Sequence, residues 1–183
     1  MPTLEHQRSN TGTIVRRGTG LAHMEANYGS FFPTSWIWSQ TIGNDNGVRL
    51  LLTGGKFLIG PIVTDSYIIA FRDPERSWNF HTTLHTDVVN VNFDACAGTL
   101  SLVAHHRFSF SSSELRVNIS ADPTSFSDPL YFPQRSVGFT NKPGCVESYR
   151  ATVNIEVVEN NVTTKTYEIK QGALEFGGEY RCH

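Results

Sequence analysis

Apolar and polar side chains alternate at every second residue along much of this chain, and that period constrains the fold more than any other feature. Leu115, Val117 and Ile119 alternate with Arg116, Asn118 and Ser120; Val153, Ile155 and Val157 alternate with Thr152, Asn154 and Glu156; Val89, Val91 and Phe93 alternate with Asn90 and Asn92. Successive side chains of a strand point to opposite faces, so each run reads as a strand with one apolar and one polar face. Further strands are expected near residues 21–27, 35–42, 47–54, 65–72, 77–83, 99–110 and 163–170. Turn signals separate them at Gly43-Asn44-Asp45-Asn46-Gly47, Gly54-Gly55, Arg72-Asp73-Pro74-Glu75 and Ala97-Gly98. With no amphipathic helical pattern and no fixed-period repeat, the expectation is an all-β, lipocalin-like fold: an antiparallel barrel or a strongly curved sandwich.

Two regions depart from the rhythm. Residues 1–13 are polar and are expected to fray, leaving 14–183 as a single barrel domain. Residues 121–145 carry Pro123, Pro129, Pro133 and Pro143 among many serines, which predicts a long loop. Its Phe126, Tyr131, Phe132 and Phe139 need covering, and the expectation is that this loop covers one barrel mouth.

Composition narrows the function. Fifteen Lys+Arg against 17 Asp+Glu give a formal net charge of -2, which argues against a nucleic-acid binder with a basic footprint. No apolar run approaches the roughly 18 residues a membrane helix needs. The polar opening Met1-Pro2-Thr3-Leu4-Glu5-His6 has no secretory pattern, so the expected location is cytoplasmic and Cys96, Cys145 and Cys182 are expected as reduced thiols. His81 and His85 would stand about 13 Å apart on an extended chain, too far to share a metal. His105 and His106 would face opposite sides of a strand. No metal site, phosphate-cradling glycine loop or G-x-S-x-G nucleophile motif is expected.

The densest stretch runs from Ala22 to Gln40. On a strand, Trp36, Trp38 and Gln40 share one face, where two indoles offer an apolar wall and the amide a polar handle for a ligand. The string Glu25…Asn27-Tyr28-Gly29…Phe32-Pro33…Trp36…Trp38…Gln40 resembles the aromatic signature of the tocopherol cyclase family, in which a Trp often stands at the position of Tyr28. Leu52-Thr53-Gly54-Gly55, the strand beginning at Cys145, and Ala173-Leu174-Glu175-Phe176-Gly177-Gly178 are similar to further family segments in the same order, so the resemblance spans residues 20–180. Family members also carry a long N-terminal half ahead of the aromatic signature. The resemblance therefore leaves three forms open: a stand-alone barrel, a self-associating half, or an inactive truncated relative.

The resemblance implies a redox-neutral isomerisation that needs no cofactor or metal: a prenylated hydroquinone closes to a chromanol after protonation of its alkene. Such chemistry asks for a carboxylic acid in a dry pocket and aromatic faces near the developing cation. Glu25 is the first candidate acid, Asp65 the second and Glu175 the third. Asn27, Tyr28, Trp36, Trp38 and Gln40 are the candidate ligand-binding residues. The alternative is a lipocalin-like carrier that holds an apolar ligand unchanged.

Overall fold

In the computed structural model, which describes residues 33–42, 47–82, 87–106, 112–131, 133–134, 138–139 and 143–182, the alternating segments become strands of one sheet. In chain order they are β1 (Ser35–Thr41), β2 (Arg49–Ile59), β3 (Ile62–Arg72), β4 (Ser77–His81), β5 (Asp87–Asp94), β6 (Thr99–His106), β7 (Ser113–Ser120), the short β8 (Pro133–Gln134) and β9 (Gly138–Phe139), β10 (Cys145–Glu159) and β11 (Val162–Gly178). The nine longer strands form a single antiparallel sheet in the order β4-β3-β2-β1-β11-β10-β7-β6-β5. All-β architecture with strong curvature is thus what the alternation yields. The expected strand at 21–27 and the expected frayed segment 1–13 lie outside the described residues.

The two sheet edges, β4 and β5, follow each other in sequence. Every neighbouring pair is antiparallel, so counting across the sheet makes β4 and β5 run in the same direction. β4 pairs only with β3 and β5 only with β6 among the described residues, so the strongly curved sheet is not closed by a ladder between its edges. Asp87, 6% exposed, links them through side-chain bonds: one carboxylate oxygen accepts from the His81 amide at 2.6 Å and the other meets His106 Nδ1 at 2.6 Å. The His106 ring stacks on Phe80, with centroids 4.6 Å apart. Burial pushes the Asp87 carboxyl up, but the His81 amide and His106 outweigh it and hold the group below the usual carboxylate range.

One face of the sheet turns inward and carries the core. Ile37, Leu52, Ile69, Phe71, Leu174 and Phe176 are fully buried there, together with the Leu115-Val117-Ile119 and Val153-Ile155-Val157 sets. Each such side chain contributes about 1.5–3 kcal/mol by leaving water. Phe126, from the long loop after β7, packs against Phe176 at 6.0 Å and so enters the core from one end of the barrel.

Tight turns fix the register. The β10–β11 hairpin turns on Asn160 and Asn161 at φ 53 and 63, the left-handed pair that a two-residue hairpin loop requires and that Asn tolerates. Gly54 and Gly55, read from the sequence as a turn, instead lie inside β2, whose strand continues to Ile59. The reason is close packing. A Cβ on Gly55 would meet the Ser35 carbonyl at 2.0 Å, so glycine here admits the neighbouring strand and does not reverse the chain.

The cysteines are a second correction. Cys96, in the β5–β6 turn, and Cys182, just past β11, form a disulfide across 86 residues of sequence, leaving Cys145 as the free thiol. Cross-linking so long a loop destabilises the unfolded chain by about 4.6 kcal/mol in the chain-entropy account. The bond also ties the C-terminal residues Glu179–Cys182 across one barrel end. Disulfides persist in oxidising compartments, which removes the argument from reduced thiols for a cytoplasmic location. No helix among the described residues is long and apolar enough to cross a membrane.

Candidate functional site

Register alone assembles the site. β1 lies between β2 and β11, and β11 lies between β1 and β10. Reading straight across these four strands gives one row of Gly55, Trp36, Gly177 and Cys145. The next row holds Thr53, Trp38, Glu175 and Glu147, and the third holds Leu51, Gln40 and Ala173. Cross-strand partners share a face, so Trp36, Trp38, Gln40 and Glu175 stand together. That face is the outer one, opposite Ile37, Leu174 and Phe176 of the core. Trp36–Gln40, Leu52–Gly55, the segment from Cys145 and Ala173–Gly178, singled out in the sequence, lie on these four neighbouring strands.

Glycine gives the first indole its seat. A Cβ on Gly177 would lie 2.0–2.4 Å from atoms of the Trp36 ring, so the indole lies flat over the β11 backbone. Its Nε1 donates to Glu175 Oε1 at 2.6 Å, and the side chain is only 6% exposed. Gln40 is 5% exposed, and Trp38, between Thr53 and Glu175, is half-buried. A carboxyl group therefore shares a largely buried patch with two indoles and an amide. Glu147 is directly across from Glu175 on β10, so the site brings two acidic side chains together.

The surrounding groups stay neutral. Burial, then the Glu175 and Glu147 charges, pushes the Cys145 thiol up to about 12, which makes it a poor nucleophile. Burial and its hydrogen bond with Glu147 push Tyr149 up to about 12 as well. The site thus offers carboxyl, indole and amide chemistry. No cluster of three or more metal-ligating side chains occurs among the described residues.

Asp65 is elsewhere. It pairs across β2–β3 with Lys56, which pairs with Ser35, so it belongs to the inner face at the barrel rim. There its exposed carboxylate accepts from the Tyr180 hydroxyl at 3.1 Å. Tyr180 packs on Phe93 at 4.7 Å and beneath Lys56. Burial first, then Tyr67 and Asp65, raises the Tyr180 phenol, and burial and Asp65 raise Tyr67. Glu25, Asn27 and Tyr28 lie outside the described residues. Among the predicted residues, the structure joins Trp36, Trp38, Gln40 and Glu175 and sets Asp65 apart. Glu147 and Tyr149 were not foreseen; the signal that would have found them is the strand register that begins at Cys145.

A shallow groove of about 350 Å³ lies over β5, β6, β7 and β10, lined by Asn92, Ser101, Asn118 and Asn154 among others. The side chains of its central row are amides and a hydroxyl. Comparison with protein-family models, curated proteins and solved structures finds no match for this chain.

Proposed function

We propose that this is a tocopherol-cyclase-like protein that binds a prenylated hydroquinone, or a similar apolar polyene, against the Trp36–Trp38 face and closes its ring without net oxidation. The observation that carries this reading is the 2.6 Å bond from Trp36 Nε1 to Glu175 Oε1, a carboxyl group beside two indoles on a buried sheet face. Glu175 takes up a proton when an apolar ligand seals the site from water, and the alkene π pair takes that proton, leaving a tertiary carbocation. The phenol oxygen bonds to that carbon and its proton returns to the Glu175 carboxylate, so atoms and electrons balance and the product is an isomer. Indole faces attract the developing cation by about 0.5–2 kcal/mol each. Gln40 supplies a hydrogen-bonding amide to orient the hydroquinone.

A second reading rests on the same bond. Trp36 already satisfies the carboxyl from within the protein, as it would in a carrier that holds its ligand unchanged. An anaerobic incubation with a micellar prenylated hydroquinone separates the two. An isomer of unchanged mass and new retention is expected, falling at least 100-fold in Glu175→Gln as for a lost general acid. Unchanged substrate that quenches indole fluorescence supports the carrier. Neither product nor quenching overturns both readings.

A further inference from the structure

The β2–β3 hairpin ends in eight successive uncharged residues, Phe57–Thr64, and its tip is the most apolar exposed element of the described chain. Leu58 is 56% exposed, Ile62 63% and Val63 59%. Their chain reverses at Gly60-Pro61, with Gly60 at φ +61. Among the described residues, β1 starts opposite Lys56 and β4 pairs only with Ile68–Arg72 of β3, so the hairpin tip extends past both flanking strands. With Leu58, Ile62 and Val63 all facing solvent, the tip is an exposed apolar patch that calls for a partner.

We infer that this arm docks the protein on a lipid bilayer by inserting Leu58, Ile62 and Val63 into the interfacial region. Two features select lipid. The arm is charge-free, and charge resumes at its base, where Lys56 lies opposite Asp65. It reaches three residues past Lys56, about 10 Å at strand rise, which matches the 5–10 Å depth of an interfacial apolar element. Tyr131, 56% exposed, follows Leu130, which bridges to Cys145 at this same barrel end, and tyrosine favours the headgroup level.

The inference deepens the proposed function, resting on it only for the cargo. Phe57 is two residues from Gly55, the partner of Trp36, so it shares the outer face with the indoles. An apolar ligand leaving the bilayer along the arm meets that face first.

The test is co-sedimentation of the full chain with vesicles of phosphatidylcholine, alone and with phosphatidylglycerol. Wild type is expected to bind both, with amides of Leu58–Val63 gaining protection from hydrogen exchange. Leu58→Glu/Ile62→Glu is expected to lower the partition coefficient at least tenfold while circular dichroism and thermal midpoint stay unchanged. Val162→Glu, an exposed apolar position on the polar Asn160-Asn161 hairpin at the other barrel end, is expected to leave it unchanged. Wild type that stays in the supernatant, or a double variant that binds equally, overturns the inference. So does a wild-type dimer that the double variant converts to monomer, because the tip then serves a second copy. Indole quenching by micellar hydroquinone that persists in the double variant keeps the indole site separate: docking and ligand binding then fail or stand independently.

Discussion

The outer face of the sheet differs sharply between its two halves. Over β5, β6, β7 and β10 it is a solvated row of Asn92, Ser101, Asn118 and Asn154, joined straight across the strands. Over β2, β1, β11 and the start of β10 the same face carries Trp36, Trp38, Gln40 and Glu175, largely out of water. The inner face of both halves is apolar and supplies the core, which is all the barrel needs. Indoles and a carboxyl on the outer face of one sector therefore answer to something other than barrel closure, and the two glycines flanking Trp36 clear the space they occupy.

The largest effect expected from breaking this contrast follows Trp36→Ala. A 6% exposed indole is lost, and with it the bond from Trp36 Nε1 to Glu175. Truncating a buried aromatic costs about 3–5 kcal/mol. Trp36→Phe keeps most of the packing and removes the N–H, so its cost is expected near 1.5–3 kcal/mol, the worth of a hydrogen bond to a charged group. Urea denaturation of the two variants separates packing from hydrogen bonding. A Trp36→Phe variant as stable as wild type would mean that the Glu175 bond contributes nothing to stability.

How much of this was legible beforehand depends on the period of the strands. Leu115-Val117-Ile119 and Val153-Ile155-Val157 reveal their inner face at once, because their alternate positions are polar. β1 does not: Ser35, Ile37, Ser39 and Thr41 are buried on one side, and Trp36 and Gln40 on the other. Alternation groups Trp36 with Trp38 and Gln40 correctly but is silent on which face is the core when both are buried. Glu175 is 139 residues from Trp36, and nothing local joins them. Only the pairing of β1 with β11 makes them neighbours. The mid-strand role of Gly54-Gly55 depends on the pairing of β2 with β1 and β3, and the Cys96–Cys182 bond on the β5–β6 turn meeting the residues after β11, both equally remote in sequence. Gly-Gly is a turn signal locally; two strands packed against it are visible only in the register.

A smaller effect is expected from Gly177→Ala, which adds a methyl where the Trp36 ring lies. Overpacking of this kind costs about 1–3 kcal/mol. The indole must lift from β11, which lengthens or breaks its bond to Glu175. A shift in tryptophan emission together with weaker ligand quenching is the expected pair of readouts. Unchanged emission would mean that the ring has room to spare and that Gly177 is not its seat.

The smallest effect is expected in the solvated sector, and it makes the comparison quantitative. Asn118 is exposed, with Ser101 and Asn154 on either side, and the core lies behind it on the other face. Asn118→Thr replaces one polar side chain by another with a higher strand preference, so stability should stay within about 0.5 kcal/mol of wild type. Ligand quenching of the indoles should not change, because neighbouring rows of the sheet do not carry Asn118 toward β1. If this substitution altered quenching as much as Gly177→Ala, the two halves of the outer face would be one coupled surface. The indole sector would then lose its claim to be a separate site, whatever its burial.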